Sequence, residues 1–333
     1  MGSHEEGLGP GALREARLRV SKRARVTPLH PSDALSERCG HKVALKCESL
    51  QVGGAFKIRG ATNFLGRVGD AERARGVITY SSGNHGIAVS LAARQAGVPA
   101  VVVMPDSAPA LKVERVRSLG GEVHLTGPAS SERKARAEAI QAERGLTMVP
   151  PFDHPFIVAG QSTCGVEILE QMPEVGTVLV PVGGGGLIAG IALACGYHRA
   201  GIRVIGVEPE GAAKMAASIR AGAPVTLPSA RSIADGLLPQ RPGDLTFSIV
   251  RRFVADIVTV SEEAIREAAE FLLRTERLVV EWSGAVGVAA LLTGAARFSG
   301  VPTAVVLSGG NVDPSALLGH VPAGASGPAG GGR

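Results

Sequence analysis

The sequence predicts an α/β protein of two open twisted, mostly parallel sheets with helices on both faces, the smaller lobe inserted in the larger. Three observations predict it. Short β-branched runs alternate with Ala-rich helical stretches along most of the chain. Those runs are almost continuously apolar, as strands covered on both faces are. The chain has 333 residues, beyond the roughly 250–300 that one core usually supports. Glycine is abundant at 45, against only 8 Phe, 2 Tyr and 1 Trp, which suits layers with close backbone approaches.

Taken in order, the elements follow from local pattern. REARLRVSKRAR (14–25) reads as a solvated amphipathic helix. GVITYS (76–81) is a strand leading into the helix NHGIAVSLAARQAG (84–97), and PAVVVMP (99–105) is a strand leading into a helix near 109–119. EVHLTG (122–127) precedes a charged helix over 131–144. TVLVPV (177–182) leads into LIAGIALACGYHRAG (187–201), and the strand RVIGVEP (203–209) follows. IVTV (257–260) precedes a helix with Ser261 as N-cap and Glu262 and Glu263 in its first turn. TAVVLSGGN (303–311) is the last strand and turn. The expected division is residues 1–68 plus 150–322 as a large domain, 69–149 as a small domain, and 323–333 as a disordered Pro/Gly/Ser-rich tail.

Several classes drop out. No stretch approaches the roughly 20 apolar residues of a membrane helix, and the N-terminal segment has no apolar signal core. Cys39, Cys47, Cys164 and Cys195 are far apart with no C-x-x-C pair, so a reduced, cytoplasmic setting is the expectation. The net charge of +5 is scattered and lacks stacking aromatics. That excludes a nucleic-acid partner and suits small anionic ligands.

The chemistry gathers at the glycines. Gly183, Gly184, Gly185 and Gly186 follow an apolar strand and open a helix, so backbone N–H groups and the helix dipole converge on one point. That is a phosphate cradle. Gly184-x-Gly186-x-x-Ala189, with Glu208 about twenty residues on, also fits a dinucleotide fingerprint, which leaves a nicotinamide-dependent dehydrogenase open. Lys57 sits between Gly54 and Gly60 in a mostly apolar stretch, where desolvation would make its amine a nucleophile. Ser81, Ser82, Asn84 and His85 close one strand and open a helix, which suits a carboxylate. Ser308, Gly309, Gly310 and Asn311 follow the last strand in the same position, at a sheet's carboxyl edge.

These four motifs in this order resemble the serine/threonine dehydratase and serine racemase family, fold-type II pyridoxal-phosphate enzymes, over residues 27–313. The resemblance implies pyridoxal 5'-phosphate as cofactor and Lys57 as the lysine that carries it. It further implies Phe56 beside the cofactor, the glycines 183–186 on its phosphate, Asn84 on the ring's phenolic oxygen and Ser308 facing the ring nitrogen. A neutral hydroxyl there cannot stabilise a protonated ring, which favours β-elimination or reprotonation over transamination. Ser81, Ser82, Asn84, His85 and Arg133 are the implied holders of the substrate carboxylate.

The expected activity is β-elimination from L-threonine or L-serine, giving a 2-oxo acid and ammonia. The alternative is a serine racemase, or a racemase/dehydratase including a 3-hydroxyaspartate dehydratase, with Lys57 and Ser82 as acid/base groups on opposite faces. The dehydrogenase reading leaves the lysine motif unexplained. A homodimer without a regulatory extension is also implied. The chain departs from the family pattern at Ala55, Ser162 and Trp282. A larger departure concerns metal: Glu208 matches a cation ligand of the metal-dependent branch, but Lys214 stands where its partner Asp is expected. An ammonium there would repel a cation, so no metal is expected.

Overall fold

The structure is a computed structural model that describes residues 7–81, 83–127, 130–296 and 300–318. Ser82 and the tail 323–333 therefore lie outside the described residues.

Among the described residues ten strands form two sheets. They are β1 (Leu29–Pro31), β2 (Val43–Lys46), β3 (Val77–Tyr80), β4 (Ala100–Pro105), β5 (Glu122–Thr126), β6 (Thr147–Met148), β7 (Thr177–Pro181), β8 (Arg203–Pro209), β9 (Asp256–Val260) and β10 (Thr303–Val306). One sheet has the order β1-β2-β10-β7-β8-β9, the other β5-β4-β3-β6. All pairs are parallel except β1 with β2. The chain leaves β2, completes the four-stranded sheet and returns at β7, so the smaller lobe is inserted in the larger.

Alternation along the strands explains why both sheet faces are covered. In the small sheet Val101 and Val103 pack with Ala137 and Ile140 of the helix Ser130–Arg144. Val102 and Met104, between them in sequence, pack on the other face with Ile87, Val113 and Val116. In the large sheet Leu179, Ile205, Val207 and Val305 meet the helices Glu262–Arg274 and Trp282–Leu292. Val178, Val180, Val204, Ala304 and Val306 meet the helices Pro155–Gln171, Gly186–His198 and Asp244–Phe253.

Three helices pack almost backbone to backbone beside the site. A Cβ on Gly160 would lie 2.6 Å from both Arg59 O and Gly60 Cα, and one on Gly190 would lie 2.6 Å from Ser162 N. The helices Lys57–Leu65, Pro155–Gln171 and Gly186–His198 can approach this closely only because those positions carry no side chain. Ser162 is fully buried and turns its hydroxyl back onto Ala159 O at 2.7 Å, so the extra hydroxyl stays within its own helix.

Some elements differ from expectation. The basic N-terminal helix is Pro10–Val20 and stops at Ser21, so residues 21–25 are not helical. Three long helices, Pro155–Gln171, Asp244–Phe253 and Trp282–Leu292, carry no flanking strand pattern that announces them. No helix of the described residues is long and apolar enough to cross a membrane.

Candidate active site

The carboxyl ends of β3, β7 and β10 open on one cleft between the lobes, of about 830 Å³. In the large sheet β8 and β9 lie to one side of β7 and β10 and β2 to the other, so the cleft sits where the strand order reverses. Phe56, Lys57, Ser81, Asn84, His85, Arg133, Ser308 and all four glycines 183–186 line it. The structure thus brings together every described residue of the sequence-derived site.

Lys57 is the first residue of the helix Lys57–Leu65, after an isolated bridge between Ala55 and Gly309 and a bond from Phe56 N to Ser308 O of 3.1 Å. Those contacts tie the lysine to the end of β10. Its Nζ donates to Pro151 O at 2.7 Å, and burial pushes its pKa down to about 8. Two residues on, Arg59 is fully buried and bonds Glu48 and Glu167 with N···O distances of 2.6–2.8 Å; Glu167 also pairs with buried Lys46 at 2.6 Å. Arg59 and Lys46 thus balance Glu48 and Glu167, so the ion group anchors the lysine's helix without an unpaired charge.

The glycine turn is shaped for an anion. A Cβ on Gly184 would overlap the Phe152 ring, and one on Gly186 would lie 3.0 Å from Phe152 Cβ. Gly185 has φ +99°, a conformation side chains disfavour. Thr246 Oγ1 donates to Gly184 O at 2.7 Å, while Asp153 accepts from Asp244 N and Thr246 N at 3.0 and 3.1 Å. The turn is held from behind and lines the cleft at the N-terminus of the helix Gly186–His198, where helix N–H groups have no partner within the helix.

At the end of β3, Ser81 Oγ accepts from Gly83 N at 3.0 Å, shaping the entry to the helix Asn84–Ala96. Asn84 Nδ2 donates to Glu281 Oε1 at 2.5 Å, and its Oδ1 accepts from Asn311 Nδ2 at 3.0 Å. Asn311 also donates to Gly53 O at 2.8 Å, so the Asn84 amide is fixed in one orientation. His85 is buried and its Nε2 donates to Val149 O at 3.1 Å. Burial, with the Lys57 charge, pushes its pKa down to about 3. The ring is neutral, and its buried Nδ1 is an unfilled acceptor. Arg133 reaches the cleft from the helix Ser130–Arg144, with its pKa lowered by burial. Ser308 is buried, its Oγ 3.5 Å from Ser283 O.

Other residues of the cleft escaped the sequence reading. Lys112 crosses between the lobes to Asp235 at 2.5 Å and lies 3.9 Å from Glu281 Oε2. Burial raises Glu281 to about 7 despite that lysine. Gly309 leaves room for the Glu281 carboxylate, since a Cβ there would collide with it. Trp282, next in sequence, packs against the core of the large sheet rather than lining the cleft.

A desolvated lysine and a four-glycine turn at a helix N-terminus line the same cleft, at a strand-order reversal, a donor set whose chemistry suits a phosphorylated carbonyl cofactor. The residues fit pyridoxal phosphate: the four glycines open a helix at the cleft wall, packed too closely on Phe152 and Thr246 to carry side chains, and Lys57 lines the same cleft. The chain belongs to the pyridoxal-phosphate dependent enzyme family, matched over residues 20–309, and is therefore a pyridoxal-phosphate enzyme. It is 43% identical over 301 residues to an L-threonine ammonia-lyase of Thermotoga maritima, covering 90% of this chain and 75% of that one. It is 40% identical over 316 residues to a serine racemase of Oryza sativa subsp. indica, covering 93% of each. The solved structure of maize serine racemase superposes with a TM-score of 0.88 at 40% identity, covering 92% of this chain and 94% of that one. The family match removes the nicotinamide-dependent dehydrogenase from consideration.

Proposed function

We propose that the protein is an ammonia-lyase that eliminates the β-hydroxyl of L-threonine or L-serine, giving a 2-oxo acid and ammonia. The observation that carries this reading is Lys57, an amine lowered to about 8 in a cleft where a serine, Ser308, rather than an acid follows β10. An amine near 8 is partly neutral at physiological pH and can take a proton. Bound pyridoxal phosphate supplies an electron sink that acidifies the substrate Cα–H.

Within that frame Lys57 Nζ removes the Cα proton from one face. The glycines 183–186 would hold the cofactor's phosphate, with Phe56 beside the cofactor, Asn84 toward its phenolic oxygen and Ser308 toward its ring nitrogen. Ser81, Ser82, Asn84 and Arg133 hold the substrate carboxylate. His85 joins them through its backbone N–H in the first turn of its helix, because its ring Nε2 is committed to Val149 O and Nδ1 carries no proton. The same reading assigns residues 1–68 plus 150–322 to a cofactor-binding domain and 69–149 to a small domain. It takes the enzyme as a cytoplasmic homodimer, consistent with Cys39, Cys47, Cys164 and Cys195 all being free thiols.

A second reading is favoured by Ser82 and by the 40% identity to serine racemase. Two bases on opposite faces, Lys57 and Ser82, would exchange the Cα proton and invert the amino acid. One experiment separates the two. The enzyme is incubated with L-serine, L-threonine and 3-hydroxyaspartate, and both the 2-oxo acid and the amino-acid enantiomers are measured. Oxo-acid release establishes elimination; enantiomer exchange with no oxo acid would refute the leading reading.

A further inference from the structure

Behind the glycine turn lies a charge that the proposed chemistry does not use. Lys214 opens the helix Lys214–Ala221 and is fully buried. Its Nζ donates to Val182 O at 2.8 Å, Leu237 O at 2.9 Å and Ala212 O at 3.1 Å, and lies 3.1 Å from Glu208 Oε1. Every neighbour is an acceptor. A neutral amine has two N–H groups for four oxygens, whereas an ammonium has three, so the cluster requires the charged form. Burial pushes the amine below its usual range, and the Glu208 carboxylate pulls it back.

The surrounding oxygens come from separate segments that converge on the cradle. Val182 immediately precedes Gly183 at the end of β7. Leu237 follows Gly236, whose carbonyl lies 3.1 Å from where a Gly183 Cβ would be. Ala212 belongs to the turn after β8. Glu208, also fully buried, accepts from Met215 N and Ala216 N at 2.9 Å each, which fixes the start of the lysine's own helix.

We propose that Lys214 is a built-in cation: its ammonium fills an oxygen cage suited to a hard divalent ion and so positions the phosphate-binding turn without metal. Three carbonyls and a carboxylate are the ligand chemistry of a calcium or magnesium site. Here a tethered ammonium occupies its centre, and a second cation beside it would be repelled. The divalent cation expected of the metal-dependent branch therefore does not fit this chain. Lys214 is a positioning residue, and the inference rests on the turn 183–186 holding the cofactor's phosphate.

The test measures cofactor affinity and occupancy from the absorbance of bound pyridoxal phosphate, alongside the thermal stability of the cofactor-free chain. Wild-type holoenzyme treated with a strong chelator should keep its cofactor and its affinity unchanged; loss of cofactor reversed by magnesium would overturn the proposal. Lys214→Asp in chelator should bind the cofactor about tenfold more weakly or worse, since buried carbonyls lose their donor, and should recover when magnesium or calcium refills the cage. Wild-type affinity in Lys214→Asp with chelator, or a weakened affinity that neither ion restores, would overturn it. If Lys214→Asp does not fold, the wild-type chelator result still decides. Gly185→Ala is the control for the cradle: if it leaves affinity unchanged, the phosphate assignment fails, whereas weakening there but not in Lys214→Asp refutes the Lys214 inference alone.

Discussion

Replacing Lys57 by methionine should stabilise the cofactor-free protein while abolishing its chemistry. Burial lowers the amine from 10.5 to about 8. At about 1.4 kcal/mol per tenfold, a shift of that size is about 3 kcal/mol of charge burial. The side chain opens on the cleft and is only partly covered, so water screens part of this and about 2 kcal/mol remains. The sign follows from proton counting. Between pH 8 and 10.5 the unfolded chain binds the lysine proton and the folded chain does not, so wild-type stability rises with pH across that window. Below pH 8 both states are protonated and the full penalty stands. Lys57→Met has nothing to charge, and its lost bond to Pro151 O is replaced by cleft water. Urea unfolding of the cofactor-free chains at pH 7 should therefore show the variant more stable by about 2 kcal/mol, a gap that closes toward pH 10.5. A variant equal to or less stable than wild type at pH 7, or a gap independent of pH, would refute the desolvated-lysine reasoning.

Gly185→Ala should weaken cofactor binding about tenfold or more, because a Cβ at φ +99° would sit 2.8 Å from Thr246 Oγ1; titration of the cofactor-free chain by absorbance checks this. Asn311→Ala should lower kcat severalfold with little change in the melting temperature, since it frees the Asn84 amide that Asn311 fixes; steady-state kinetics beside a thermal melt separate the two effects. Glu281→Gln should flatten one pH dependence. With Glu281 raised to about 7 from 4.5, the folded state binds the extra proton, so wild-type stability relative to the variant falls from pH 4.5 to 7, measurable by melting cofactor-free protein at pH 5 and 8. Ser82→Ala should abolish inversion of L-serine and, through a weaker hold on the substrate carboxylate, raise the KM of oxo-acid release while keeping its kcat, read by chiral chromatography with a coupled oxo-acid assay.

The strands around the site were legible because their patterns are local. VITY, TVLVP and TAVV are apolar runs followed by the motifs proposed to carry the chemistry, so position and role could be read together. The helix Pro155–Gln171 was not legible: twelve of its residues are buried among other helices, so the polar face that marks a surface helix is absent. Glu281, Lys112 and Asp235 were missed for a different reason. Each is an ordinary charged residue in its own segment, and only their approach across the cleft makes them a group.

By itself the sequence determined the α/β class, the Gly-flanked lysine motif, the glycine turn and the exchange of an expected acid for Lys214, because each rests on residue type and short spacing. The tertiary structure decided what charge and reach those residues have. It lowered Lys57 to about 8, held the His85 ring neutral, turned the Asn84 amide by way of Asn311, and enclosed the Lys214 ammonium in four oxygens. Burial and the position of distant partners set the energy of a charge, and neither is written in the residue that carries it.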